Sequence, residues 1–137
     1  MHTGPYLVAL ALAVAACAPV ERDTAADPTA AAPPVKVRGE PRNCINRSQI
    51  RQTRVRSDRV IDFEMRGGKV FRNTLPASCP GLAFERSITY NTSINQLCST
   101  QIVFVLQNIG GVPQRGAGCS LGPFVPVEYV RGGQAKD

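Results

Sequence analysis

The feature that most constrains the fold is a pair of alternating segments on either side of two adjacent glycines. Residues 61–65 and 70–75 each alternate apolar with polar side chains, and Gly67 and Gly68 lie between them. A period of two is typical of a strand with one buried face, so two such runs around a glycine pair predict a β-hairpin. A hairpin here favours an antiparallel β fold for the surrounding chain.

The register of this hairpin follows from the side chains that each loop length would pair. A two-residue glycine loop would set Phe63 opposite Arg72 and so mix apolar with charged partners. A three-residue loop that ends at Gly68 sets Phe63 opposite Phe71 instead. It also sets Asp62 opposite Arg72, so that one face is apolar and the other carries an opposite-charge pair. We therefore predict the three-residue loop, with Gly68 in the left-handed conformation that such loops require.

Further strand signals follow on both sides of the hairpin. The segments that alternate or run apolar are 53–56, 87–92, 102–106 and 124–130. Residues 43–51 fit one or two helical turns and residues 109–118 a loose loop, while Pro126 favours a sheet edge because proline cannot donate to a ladder. We predict a mainly β domain over 43–130: a small antiparallel barrel or curled sheet of five to six strands with at most one short helix and two disulfides.

The N-terminal stretch predicts export. Residues 6–16 carry no charge, which fits the apolar core of an export signal and is shorter than the roughly 20 residues that span a bilayer. Ordinary signal cleavage after a small-x-small motif, at 13–15 or 16–18, is one interpretation of the residues that follow.

The other interpretation rests on Val14-Ala15-Ala16-Cys17, which resembles the lipobox of bacterial lipoproteins. In that family the cysteine is lipidated and the signal is removed just before it. The resemblance implies a signal peptide at 1–16 and a lipid anchor on Cys17. Because Ala18 rather than Asp follows the cysteine, the resemblance also implies the outer membrane, with the protein facing the periplasm.

Two segments are predicted to be disordered. Residues 18–42 are rich in alanine and proline and lack aromatic side chains, so they cannot bury enough apolar surface to offset the entropy of ordering. We predict that residues 17–42 form a lipidated cysteine and a tether, and that residues 131–137 form a disordered tail.

The cysteine count predicts disulfides. Four of the five cysteines lie in the predicted domain, at Cys44, Cys79, Cys98 and Cys119. An even number in an exported domain indicates two disulfides. A metal site is disfavoured because closely spaced cysteine pairs are absent. Of the three possible connectivities we favour Cys44–Cys79 with Cys98–Cys119, because closure between neighbours in sequence fits a meander.

The positive charge of the chain predicts an anionic partner. The net charge is +6, and a basic surface favours phosphate, lipid head groups or acidic polymers. Alternation sends Arg54 and Arg56 to one strand face, while Arg66 and Lys69 fall at the hairpin tip. If the first strand packs beside the hairpin, these four form one basic patch for an anionic envelope polymer or lipid head group, since Arg binds such groups bidentately. The alternative is a dispersed, solvated surface, and nucleic acid is not expected for an exported protein.

The residues do not predict an enzyme, a metal site or a cofactor. The only histidine is His2, in the predicted signal, and no glycine-rich phosphate loop follows a strand. Asp62 and Glu64 share one strand face, as paired catalytic carboxylates can. Beside Arg72, however, they are better explained as a solvated face with balanced charge.

Several short motifs are distributed along the domain. They are Cys44-Ile45, the hairpin segment 65–73 with Leu75, residues 79–82, Leu97-Cys98, and residues 119–122 with Phe124. On these motifs, residues 43–127 resemble a family of small exported bacterial proteins of unknown function, and the resemblance implies no activity.

The predicted function is therefore a non-catalytic binding or structural module of the cell envelope. It would be attached to the membrane by its lipid anchor, with the basic patch as its ligand site or with a protein as its partner. The alternative is a small periplasmic inhibitor of a cell-wall hydrolase, because such inhibitors are often small disulfide-linked β domains. That alternative is an analogy of architecture alone.

Overall fold

A computed structural model describes residues 27–130 of the chain, together with Gly4. Cys17, most of the predicted signal peptide and the predicted tail at 131–137 lie outside the described residues. In the part of the chain that is described, no helix is long and apolar enough to cross a membrane.

The described residues are mainly β, as predicted. The elements in chain order are β1 (Val35–Val37), β2 (Cys44–Asn46), a 3-10 turn (Arg47–Gln49), β3 (Ile50–Val55), β4 (Val60–Met65), β5 (Val70–Thr74), α1 (Leu82–Glu85), β6 (Ile88–Thr89), β7 (Gln96–Cys98), β8 (Ile102–Ile109), β9 (Val112–Ser120) and β10 (Phe124–Tyr129). The strands outnumber the predicted five or six because several contain only two or three residues, too few to leave an alternating pattern in the sequence.

The strands form three antiparallel sheets and no closed barrel. A five-stranded sheet has the order β1-β10-β5-β4-β3, a three-stranded sheet the order β6-β8-β9, and β2 pairs with β7. One buried cluster joins Phe63 and Phe124 of the large sheet with Val103 and Val105 of β8 and Leu97 of β7. The rings of Phe63 and Phe124 meet edge to face with their centroids 5.5 Å apart. The core therefore lies where the three sheets meet.

Part of the predicted tether belongs to the fold. β1 pairs with β10, with Val35 opposite Tyr129 and Val37 opposite Val127. The prediction of disorder rested on the few apolar side chains in this segment, but the backbone hydrogen bonds of a ladder do not depend on side-chain composition. The structured region thus begins before the predicted boundary at residue 43.

The prediction that Pro126 marks a sheet edge is wrong, because β10 lies between β1 and β5. The carbonyl of Pro126 accepts a hydrogen bond from the amide of Arg38 at 2.8 Å. The N–H and C=O of one residue point to the same neighbour in an antiparallel strand. Pro126 therefore faces β1, just past the last β1–β10 pair at Val37. Its missing N–H group interrupts no hydrogen bond of the ladder there.

Two loop and helix predictions are also corrected. The segment 109–118, predicted as a loose loop, forms a hairpin with β8, in which Ile109 lies opposite Val112. β9 tolerates its glycines and proline because it is the outer strand of its sheet. The segment 43–51, predicted as helical turns, holds β2, the 3-10 turn and the start of β3.

The four cysteines form two disulfides, as predicted, but the favoured connectivity is wrong. The bonds are Cys44–Cys98 and Cys79–Cys119. Cys44 lies directly opposite Cys98 in the β2–β7 pair. The chain is not a simple meander, so strands that are distant in sequence become neighbours and the two bonds interleave.

Candidate functional site

The hairpin of β4 and β5 has the predicted register. Phe63 lies opposite Phe71, and Asp62 lies opposite Arg72. The amide of Met65 donates to the carbonyl of Lys69 at 2.7 Å and so closes a three-residue loop. Both loop glycines have positive φ, 91° for Gly67 and 92° for Gly68, which an L side chain rarely adopts. The loop brings Arg66 and Lys69 to either side of the tip.

The four residues of the predicted basic patch lie in two different settings. On β3, Nε of Arg54 lies 2.6 Å from Oε1 of Glu64, and Nε of Arg56 lies 3.0 Å from Oδ2 of Asp62. Each of these two arginines is thus paired with a carboxylate of the hairpin strand beside it, and each carboxylate also binds a second arginine, Arg51 on Glu64 and Arg72 on Asp62. Arg66 and Lys69 remain exposed at the tip. The patch is divided into a paired half on β3 and a cationic half at the tip.

The carboxylates beneath the paired half are buried, which contradicts the predicted solvated face. Asp62 has no exposed surface, and Arg72 is 5% exposed. Oδ1 of Asp62 accepts from Nε of Arg72 at 2.8 Å, and Oδ2 accepts from Nη2 of Arg72 at 3.0 Å. Oδ2 also accepts from Nε of Arg56 at 3.0 Å and from Oη of Tyr129 at 2.9 Å. Four donors satisfy the carboxylate, as burial of a charge requires.

This network fastens the edge of the sheet onto the hairpin. Tyr129 belongs to β10, which β5 separates from the strand of Asp62. The carbonyl of Pro33 accepts from Nη1 of Arg72 at 2.9 Å. The end of β10 and the segment before β1 therefore curl over the outer face of the sheet. These two segments exclude water from the carboxylate of Asp62. The alternation of polar and apolar residues in β4 could not reveal that they cover it.

Two ionisation equilibria respond to this packing. Burial disfavours the charged guanidinium of Arg56, but its hydrogen bonds to Tyr129 and Asp62 outweigh burial and raise its pKa. Burial is the largest cause that raises the pKa of the Tyr129 phenol above 10.0, against the opposing hydrogen bond from Arg56. Arg56 therefore stays charged and Tyr129 stays protonated at neutral pH. The cluster is structural in character, since its donors and acceptors are already engaged.

The carboxylate of Glu64 is likewise paired with arginines. Its Oε2 accepts from Nη2 of Arg51 at 3.1 Å, in addition to the contact with Arg54. Its side chain is 12% exposed. Asp62 and Glu64 are thus each held by two arginines on the same face of the sheet.

Arg66 and Lys69, together with Arg42, line a cavity that we call the hairpin-tip cleft. Its volume is about 240 Å³. The residues that line it are Arg42, Cys44, Ile45, Asn46, Gln49, Met65, Arg66, Lys69 and Phe71. Three of these side chains are cationic and none is a carboxylate. No ion pair joins Arg42, Arg66 or Lys69 to another described residue.

Backbone hydrogen bonds fix the segments that carry Arg42 and Arg66. The amide of Arg66 donates to the carbonyl of Gln49 at 2.7 Å. The guanidinium of Arg42 lies 5.4 Å from the centroid of the Phe71 ring. Arg42 and Phe124 also exchange two backbone hydrogen bonds of 2.8 Å. The backbone of Arg66 and Arg42 is thus fixed at the cleft, while the side chains of Arg66 and Lys69 are exposed.

A second cavity of about 540 Å³ continues from the cleft, since Arg42, Lys69 and Phe71 line both. It adds Arg38, Glu40 and Glu128 and an apolar floor. Arg38 forms an ion pair with Glu128. We call the two cavities together the groove.

Sequence reasoning found Arg66 and Lys69 but missed Arg42, which fell within the predicted tether. Arg42 is fixed by a bridge to Phe124. A bridge of one residue pair has no periodicity, so the sequence holds no pattern that would reveal it. The short alternation of Val35, Lys36 and Val37 is the one local signal that the fold extends this far.

The chain matches no protein-family model, no curated protein and no solved structure. Over residues 27–130, no group of three or more His, Cys, Asp or Glu side chains could hold a metal ion.

Proposed function

We propose that this chain is a lipid-anchored, non-catalytic module of the bacterial cell envelope that binds an anionic ligand in the hairpin-tip cleft. The observation that carries the proposal is the meeting of Arg42, Arg66 and Lys69 around one cavity with no carboxylate among its lining residues. The β3 arginines provide the contrast, because the same fold pairs Arg54 with Glu64 and Arg56 with Asp62.

The chemistry of the cleft favours a phosphate or carboxylate group. An arginine presents a planar fork that matches either group, and a lysine adds a point charge. Asn46 and Gln49 also line the cleft, and a side-chain amide NH2 group can donate a neutral hydrogen bond to an oxyanion. The net charge of +6 would attract such ligands from a distance at low ionic strength.

The anchor part of the proposal rests on the lipobox-like sequence and on the disulfides. Two disulfides fit a protein that folds in an oxidising compartment. Nine residues, 18–26, separate Cys17 from the first residue of the described range, Asp27. A chain of that length spans roughly 35 Å at most. An anchored domain would therefore work close to the membrane surface.

The binding proposal is tested with the full chain in detergent and with two variants of equal charge. The cleft variant replaces Arg42, Arg66 and Lys69 with alanine. The control variant replaces three other exposed cations with alanine. They are Lys36, Arg86 and Arg115, which line neither cavity. Separate arms measure binding to phosphatidylglycerol vesicles and to purified peptidoglycan, each over a range of salt concentrations, so that a lipid phosphate is distinguished from a wall carboxylate.

We expect the cleft variant to lose about tenfold to hundredfold in affinity, as three partly exposed charge contacts of up to about 1 kcal/mol each would give. The control variant should keep most of its affinity, and binding should weaken with salt. Equal losses in the two variants would show that overall charge, and not the cleft, is responsible. Mass spectrometry of the mature N-terminus tests the anchor, since an N-terminus without acyl chains contradicts it.

The inhibitor function has one observation in its favour. Ile109 and Val112, at the turn of the β8–β9 hairpin, are 54% and 57% exposed. An exposed apolar tip of this kind could enter the substrate cleft of a hydrolase. Capture of a hydrolase by the full chain in equimolar complex, lost on Ile109→Ser, would support inhibition. Capture that is unaffected by this change would remove the hairpin as the inhibitory element.

A further inference from the structure

The groove is asymmetric in charge, and this asymmetry narrows the class of ligand. Its smaller part, the hairpin-tip cleft, is lined by three cations and no acid. Its larger part contains two acids, Glu40 and Glu128. Because Arg38, Arg42 and Lys69 also line the larger part, a ligand that extends into it passes from a cleft without acids to a cavity that carries both signs of charge.

The two acids are not equivalent. Glu128 pairs with Arg38, so it contributes little net charge. Glu40 is exposed and forms no ion pair or side-chain hydrogen bond with another described residue. Glu40 is thus the acid in the groove that is available to a ligand.

The floor between these charges is apolar. Val70, Phe71, Pro126 and Val127 line the larger cavity, and Phe71 is 3% exposed and fixed by the core. Such a floor suits small aliphatic groups, because it allows them to leave water without the loss of a hydrogen bond. The volumes of about 540 Å³ and 240 Å³ exceed what one phosphate or carboxylate group would fill and fit a chain of several residues.

We propose that the groove binds a short amphoteric peptide: an acidic group in the hairpin-tip cleft, small aliphatic residues over the floor, and an ammonium group beside Glu40. This inference rests on the proposed function, since it assigns a ligand class to the same cleft. A polyanion would place negative charge against Glu40, and a lone anion would leave the larger cavity empty. An amphoteric chain places its acidic group against the cations of the cleft and its ammonium group against Glu40.

The test measures how the full chain in detergent binds three blocked peptides by isothermal titration calorimetry. The amphoteric probe is acetyl-Glu-Ala-Ala-Lys-amide. The anionic probe replaces its lysine with glutamine, and the dianionic probe replaces it with glutamate. Phosphatidylglycerol vesicles are measured in parallel as a ligand that needs only the cleft.

We expect the amphoteric probe to bind about fivefold more tightly than the anionic probe, the gain of one partly exposed charge pair. The dianionic probe should bind more weakly than either. Glu40→Gln should abolish the preference for the amphoteric probe while the anionic probe still binds. The matched control, Glu85→Gln on α1, should keep the preference. Arg66→Ala with Lys69→Ala should weaken all three probes.

The outcomes separate the two proposals. Equal binding of the amphoteric and anionic probes, or a preference that survives Glu40→Gln, overturns the amphoteric ligand. Vesicle binding that depends on the cleft, with no binding of any peptide, also overturns it but leaves the proposed function standing. If neither peptides nor vesicles nor peptidoglycan bind through Arg42, Arg66 and Lys69, both proposals fail.

Discussion

Replacement of Asp62 by asparagine is the most informative test of the buried network. The substitution keeps the shape of the side chain but removes its charge. It leaves two guanidinium groups, of Arg56 and Arg72, without their anion, and it turns an amide donor toward groups that also donate. Asp62 is fully buried, so water cannot replace the lost contacts.

The expected magnitude follows from that burial. Breaking a buried ion pair while leaving the partner charge in place costs about 3–5 kcal/mol. For a domain of this size that corresponds to a fall in Tm of roughly 20 °C. Since small domains are stable by only about 5–15 kcal/mol, the variant should retain its fold with little margin.

The assay is urea unfolding, with Glu64→Gln as the matched control. Both substitutions remove one negative charge from the same strand face. The arginines that pair with Glu64 have side chains 65% and 44% exposed, so we expect that control to lose about 1 kcal/mol or less. A double-mutant cycle with Tyr129→Phe should show coupling of about 0.5–3 kcal/mol with Asp62.

Equal losses from Asp62→Asn and Glu64→Gln would refute the reasoning. They would show that the segment before β1 and the end of β10 do not exclude water from the aspartate. A loss from Asp62→Asn that disappears at high salt would lead to the same conclusion, because salt screens exposed pairs far more than buried ones.

Three other substitutions test separate parts of the fold. Gly122→Ala should destabilise by about 1–3 kcal/mol in urea unfolding, since its Cβ would lie 2.3 Å from the carbonyl oxygen of Thr74; an unchanged midpoint contradicts this close approach. Replacing Cys79 and Cys119 together with alanine should cost about 4 kcal/mol by the same assay, from the closure entropy of their 40-residue separation; a loss below about 1 kcal/mol would contradict that account. The Tyr129 phenol has a pKa raised by burial above 10.0, so its unfolded form ionises first, and stability should fall as the pH rises from about 10 through the folded value. Tyr129→Phe should make this decline of stability with pH shallower. A decline of unchanged slope would contradict the contribution assigned to the Tyr129 phenol.

The β4–β5 hairpin could be predicted in register because all of its determinants are local. Two alternating runs, a glycine pair and the pairing of Phe63 with Phe71 sufficed. The disulfide connectivity could not be predicted in this way. It depends on which strands meet in space, and β2 meets β7 although the bonded cysteines Cys44 and Cys98 have a sequence separation of 54.

The burial of Asp62 shows a different limit. Alternation correctly placed Asp62 and Arg72 on one face, away from the core. Whether that face is wet depends on what covers it, and the cover comes from Tyr129 and Pro33 at the two ends of the domain. Composition predicted disorder for one of these segments, so the sequence offered no reason to place it there.

The same limit applies to the candidate site, because a run of positive residues predicts charge but not which charges remain unpaired. Arg54 and Arg66 are both arginines of the same positive run. The ladder sets Arg54 opposite Asp62 and next to Glu64, whereas Arg66 lies in the turn, beyond the last acid of the hairpin. Unpaired positive charge therefore collects where the alternation of β4 ends. Arg42 completes that cluster from outside the hairpin, through its bridge to β10. The site thus arises from two features: a turn that leaves the acids behind, and a strand order that brings the N-terminal segment to the tip.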